Sequence, residues 1–144
     1  MTPTAHVITV SDRVSAGTMV DESGPTLMRL LQSTGFLASG PAVVPDSMER
    51  ITAAILAAQA AGADMVVTTG GTGLGPRDVT PQATSTLIDY EVPGLAESMR
   101  RVGGAFPVSM ATSANIPFFS RPWGLSIAER TLSVCALGSM LLLI

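Results

Sequence analysis

The sequence contains no lysine; all eight of its cationic side chains are arginine. That excludes a P-loop lysine, a Schiff-base lysine and a lysine-rich lipid-binding tail. One cysteine, Cys135, and one histidine, His6, are too few for a zinc cluster or a disulfide within the chain. Any Ser-His-Asp site would have to use His6. Charged residues make up only 13% of the chain, against roughly 25% in ordinary soluble domains. The formal net charge of −3 speaks against a nucleic-acid backbone as the main partner. Long apolar runs are missing too. The longest weakly polar stretch, residues 131–144, falls short of the roughly 20 residues a bilayer-spanning helix needs, so no membrane partner is expected. With no charged segment leading into an apolar one at the start, no signal peptide is expected, and the expected compartment is a reduced cytoplasm.

What remains is an apolar chain of 144 residues, 47% hydrophobic, interrupted by 14 glycines and 10 prolines. No repeat, charge block or linker divides it, so residues 1–144 read as one domain. A thin charged surface on so apolar a chain also points to some surface hidden in an oligomer.

The hydrophobic pattern alternates between strand and helix. Ala5–Val10 reads as a buried strand bounded by Ser11-Asp12. Gly24-Pro25 opens a helix with Leu27, Leu30, Leu31 and Thr34 on one face and Gly35 as terminator. A short extended piece, Ala42–Val44, ends at Pro45. Asp46 precedes Glu49 by three, a capping-box spacing, and opens an alanine-rich helix to about Ala61. Asp64–Thr69 is the next strand. Thr80-Pro81 caps a helix through about Asp89, Pro93-Gly94 opens another, and Thr131–Ala136 forms one more strand. The expected fold is an α/β three-layer sandwich with a mainly parallel sheet. In such a sheet, ligands sit outside the carboxyl ends of the strands. Ser11-Asp12-Arg13, Pro45-Asp46, Gly70–Asp78 and Leu137-Gly138-Ser139 would then open on one edge.

The densest chemical signal is TTGGTGLGPRDVTP, Thr68 to Pro81. Glycines permit positive φ, so successive N–H groups can line one concavity and bind an anion. Thr68, Thr69 and Thr72 offer hydroxyls and Arg77 a guanidinium. A dinucleotide fingerprint fails, because Pro76 stands where its third glycine belongs, and a P-loop lacks its lysine. The loop is a different phosphate cradle or a tight turn. On its spacing to Glu49, Asp46 reads first as an N-cap, and Asp78 reads as a turn residue or as the ion-pair partner of Arg77. Neither structural reading explains why both acids fall on the expected ligand edge. Magnesium bridging of phosphate oxygens does, since hard Mg²⁺ takes carboxylate oxygen. His6 and Cys135 read as core residues, Met28, Met48 and Met99 as core filling, and Trp123 as a loop anchor.

Taken together, VITVSDR (Val7–Arg13), ESGPTL (Glu22–Leu27), VVPD (Val43–Asp46), TTGGTGLGPRDVTPQAT (Thr68–Thr84) and VPGLAESMR (Val92–Arg100) resemble the molybdopterin-binding family, which includes MoaB- and MogA-like proteins. The resemblance runs in order from about residue 5 to 101; beyond about 102 the chain diverges. It implies an α/β fold assembled as a homotrimer and a site for molybdopterin. It further implies adenylylation of molybdopterin by Mg-ATP, giving adenylyl-molybdopterin and pyrophosphate, with hand-off to a molybdate-inserting enzyme. The alternative is a molybdopterin carrier or scaffold without AMP transfer. Position by position, Asp46 and Asp78 fall on the family's functional, metal-associated aspartates. Gly70, Gly71, Thr72 and Gly73 fall on its phosphate loop, with Thr69 and Arg77 beside it and Ser11 and Asp12 on its first ligand loop. Gly138 and Ser139 match what is kept of a later ligand loop.

Overall fold

β-Branched side chains dominate the first strand, β1 (Thr4–Val10), and both of its faces are covered. Side chains alternate along a strand. Ile8 and Val10 therefore enter one core with Ile51, Ile55 and Ala58 of α3 (Met48–Ala60), Val66 of β3 (Met65–Thr69) and Ala83 of α4 (Thr80–Ser85). Thr9 faces the other way, and its hydroxyl donates to Asp21 Oδ2 at 2.7 Å, just ahead of α2 (Ser23–Ser33). That helix buries Leu27 and Leu31 and packs on β1 and on β2 (Leu37–Val44). The result is the expected three-layer α/β sandwich. The computed structural model describes residues 2–73, 75–89, 91, 93–94, 97 and 140–143.

Among the described residues the sheet order is β2-β1-β3-β4. β1 pairs in parallel with β2 and with β3, while β4 (Met140–Leu143) pairs antiparallel with β3. Residues Met140–Leu143 of the C-terminal apolar run thus form a strand. Four consecutive apolar residues carry no period that separates strand from helix. The helix expected from Pro93 falls largely, and the strand expected at Thr131–Ala136 wholly, outside the described residues.

Three boundaries differ from the sequence pattern, each for a local reason. β2 begins five residues before Ala42, because an edge strand tolerates the Gly40-Pro41 interruption and the ladder shifts register opposite it, between His6 and Ile8. α4 stops at Ser85 instead of continuing to Asp89. There Ser85 Oγ donates back to Gln82 O and Thr86 Oγ1 to Ala83 O, side-chain bonds that compete with the helical ladder. α3 is capped by Ser47 and not by Asp46: the Ser47 hydroxyl accepts from Arg50 N–H and donates to Glu49 Oε2. Met48 follows that cap and is 40% exposed, so it does not fill the core.

Gly24 fixes how α2 meets the sheet. A Cβ there would lie 2.5 Å from Thr9 Oγ1 and 2.7 Å from Pro41 Cβ. Gly24→Ala should therefore push the helix off the sheet and cost about 1–3 kcal/mol, as overpacking does. Urea unfolding of the variant, monitored by far-UV dichroism, checks the loss.

Candidate functional site

β1 is flanked by the strand that follows it and by the strand after that, so the chain leaves β1 over one face and returns over the other. This reversal of order is where open α/β sheets form ligand crevices. A cleft of about 850 Å³ lies there, between the loops that follow β1, β2 and β3. Ser11, Asp12, Asp46, Thr69, Gly70, Gly71, Arg77 and Asp78 all line it. The three loops expected to share one edge do so. Gly138 and Ser139, on the fourth, lie outside the described residues.

Relieved of capping α3, Asp46 is engaged by the neighbouring loop. Its Oδ2 accepts the Asp12 N–H at 2.8 Å, and its own N–H donates to Asp12 Oδ1 at 3.0 Å. The other Asp12 oxygen accepts from the Arg77 guanidinium. Arg77 thus pairs with Asp12, 65 residues away in sequence, and not with its neighbour Asp78. Ser11 caps α1 (Asp12–Ser15), its hydroxyl accepting from Val14 N–H at 3.3 Å.

The glycine loop divides into two parts with different tasks. Gly70 has φ +91°, and a Cβ there would lie 2.1 Å from Val10 O. Gly71 has φ +60°, and a Cβ there would sit 2.4 Å from Thr80 Oγ1 and 2.9 Å from Asp46 Oδ1. Only glycine allows the chain to pass the end of β1 this closely and leave open space beside the carboxylate. Thr80 holds the turn, its hydroxyl donating to Gly70 O and its N–H to Gly71 O, both at 3.0 Å. The N–H groups of Gly70 and Gly71 have no acceptor among the described residues. Downstream the loop serves Asp78 instead. Gly75 N–H donates to Asp78 Oδ2 at 2.9 Å, Asp78 N–H returns a bond to Gly75 O at 3.0 Å, and a Cβ at Gly73 would lie 2.8 Å from that carboxylate. Gly70 and Gly71 thus line the cleft, whereas the Gly75 amide is taken up by Asp78. Thr72 is buried and, like Gly73, does not line the cleft.

Asp46 is pushed above the ordinary carboxylate range, first by desolvation and then by the charge of Asp78. A raised folded-state pKa means that ionised Asp46 opposes folding. That penalty is absent below the unfolded-state pKa and fully present once pH has passed the folded one. Asn at this position can still accept the Asp12 N–H. Asp46→Asn should consequently raise the thermal midpoint at pH 7, and the gain should shrink as pH falls through the carboxylate range. Differential scanning calorimetry across that range tests the sign.

Several cleft residues carry no sequence expectation. Asp21 receives three bonds, from Thr9 Oγ1, Ser23 Oγ and Gly24 N–H, and anchors the start of α2. Its spacing of three from Gly24 was the available signal. Met19, Val20 and Glu22 complete that wall. His6 is hydrogen-bonded, with Nδ1 2.8 Å from Ser39 Oγ and away from the cleft, but it is only half-buried and lies outside the core, because it sits on β1 facing the edge strand β2. Burial lowers its pKa. Cys135 and Trp123 lie outside the described residues.

Residues 6–122 match the profile described as "Probable molybdopterin binding domain". The molybdenum cofactor biosynthesis bifunctional protein of Synechococcus elongatus is 46% identical over 99 residues, 69% of this chain and 31% of that protein. The molybdopterin adenylyltransferase of Pyrococcus furiosus is 38% identical over 76% of this chain and 67% of its own length. Among solved structures, one described as the anomalous substructure of MogA superposes with a TM-score of 0.76 at 34% identity, covering 92% of both chains. The chain spans about a third of the length of the two bifunctional proteins it matches. With its profile match, its relatives and its switch-point cleft in agreement, this chain belongs to the molybdopterin-binding domain family, among the MoaB/MogA-like molybdenum cofactor biosynthesis proteins.

Proposed function

We propose that this chain works in molybdenum cofactor biosynthesis by transferring AMP from ATP to the phosphate of molybdopterin. One observation carries the reading: Asp46, Asp78 and the main chain of Gly70 and Gly71, distant in sequence, line one crevice. A phosphate monoester is largely dianionic at neutral pH, so the nucleophile needs little general-base help. What it needs is to be brought against a second polyanion in line.

An oxygen of the molybdopterin phosphate attacks the α-phosphorus of ATP. The bond to the bridging oxygen breaks, and pyrophosphate leaves with the electron pair. The Gly70 and Gly71 amides take phosphate oxygens, and Asp12, Asp46 and Arg77 form the rigid wall beside them. The cleft is lined by five carboxylates (Asp12, Asp21, Glu22, Asp46 and Asp78) against two guanidinium groups, Arg13 and Arg77. So acidic a site suits a polyanion only with a cation between them. Asp46 Oδ1 and Asp78 Oδ1 accept no hydrogen bond among the described residues, and desolvation together with the charge of Asp78 raises the ionisation cost of Asp46. This hard oxygen pair fits Mg²⁺. Among the described residues no cluster of three acidic, histidine or cysteine ligands exists, so phosphate oxygens and water would complete the shell. When bound, magnesium supplies charge neutralisation between the two phosphates.

Incubation with molybdopterin, Mg²⁺ and labelled ATP tests the reading. Pyrophosphate and adenylyl-molybdopterin support it; tight pterin binding with unchanged ATP assigns the chain to a carrier or scaffold role. The same reading carries a homotrimer and hand-off of the product to a molybdate-inserting enzyme in the cytoplasm. A monomer in light scattering would remove the trimer. No described helix is long and apolar enough to cross a membrane.

A further inference from the structure

We propose that Asp12 is a positioning residue that ties the Asp46 loop and the glycine loop into one frame, with neither of its oxygens spent on ligand. The inference rests on the transfer reading for its kinetic consequence, though not for its structural one. Asp12 follows β1, the strand that lies between the other two site-bearing strands. From that central place it reaches both neighbours. Oδ1 accepts the Asp46 N–H, Oδ2 accepts from Arg77, and the Asp12 N–H itself donates to Asp46 Oδ2.

The reciprocal pair sets two acidic residues side by side, an arrangement that like charge opposes. It persists because each carboxylate receives a main-chain N–H from the other residue, and because Arg77 brings a cation to the outer oxygen. Hydrogen bonds to charged acceptors are the stronger kind. The side chain of Asp12 is 31% exposed and that of Arg77 75%, so the outer arm is solvent-screened and the weaker of the two. The inner arm to Asp46 is therefore the one that matters for geometry. It holds the main chain at residue 46, and with it the carboxylate opposite Gly71.

The two arms separate by chemistry. Asp12→Asn keeps an oxygen for the Asp46 N–H and loses the ion pair with Arg77. Asp12→Ala loses both. In the full chain, Asp12→Ala should lower kcat by about a hundredfold, the penalty of a displaced reacting geometry, with KM for ATP little changed. Asp12→Asn should recover most of that loss. Amide hydrogen exchange, read by NMR, supplies a measure independent of turnover. The Asp46 amide should exchange roughly tenfold faster in Asp12→Ala, as expected for loss of a charge-assisted bond. It should keep its protection in Asp12→Asn, while the Asp78 and Thr80 amides of the glycine loop loosen in both variants.

If Asp12→Asn is as impaired in kcat as Asp12→Ala while the Asp46 amide stays protected, the Asp12 charge itself meets ligand, and the positioning role is overturned. Unchanged exchange at Asp46 in Asp12→Ala overturns it as well. A wild-type chain that transfers no AMP would remove the catalytic reading alone; the exchange pattern would still decide the frame.

Discussion

Asp78→Asn is expected to cut AMP transfer about a thousandfold, at the upper end of what one preorganised electrostatic group contributes, while leaving the fold intact. The structure supplies the reason for both halves. Asp78 Oδ2 already accepts the Gly75 N–H, and an amide oxygen can accept it as well, so the turn survives. The negative charge does not. With it goes half of the oxygen pair that suits a divalent cation, and the remaining carboxylate, Asp46, loses the like charge that raises its pKa. A steady-state assay of pyrophosphate release alongside a thermal melt separates the two effects. Near-normal transfer by a folded Asp78→Asn chain would withdraw the metal assignment.

The second large effect concerns stability. Gly70→Ala meets two penalties at once. Its φ of +91° lies where an L side chain is strained, and its Cβ would stand 2.1 Å from the main-chain oxygen of Val10. A carbonyl at the end of a central strand cannot move without breaking its ladder. Strain and overpacking each cost about 1–3 kcal/mol, so a loss of roughly 2–6 kcal/mol is expected, a large fraction of an ordinary domain's stability. Gly17→Ala is the matched control: its φ is +71°, but nothing lies within 4 Å of the added Cβ. The difference in unfolding free energy between the two variants measures the clash with Val10 apart from the backbone term. Equal losses in both would mean that the close approach at Gly70 contributes nothing.

Much of this architecture was legible in residue order. The β-branched run through Val10, the leucine spacing of α2 and the alanine-rich helix before Gly62 follow from local steric preference and hydrophobic period. So did the placement of the loops after β1, β2 and β3 on one edge, once the strands were taken as parallel. Helix caps were less legible. Asp46 and Ser47 are adjacent, both are good capping residues, and the spacing of three to Glu49 points to Asp46. The choice went to Ser47 because Asp46 is drawn into the pair with Asp12, a residue 34 positions away.

The glycine loop shows the same division. Its glycines announced that the backbone must turn tightly and come close to something. They did not say which amides would remain open and which would be taken by Asp78. Arg77 was adjacent to one aspartate in sequence and paired with another across the cleft.

Local chemistry, then, determined most of the elements up to β3, their apolar faces and the residue types that line the cleft. Tertiary structure alone decided which carboxylate stands beside which amide. The physical reason is that strand and helix preferences act over a few neighbouring residues, whereas each hydrogen bond that aims Asp12, Asp46 and Arg77 joins separate loops and forms only once β1, β2 and β3 lie side by side.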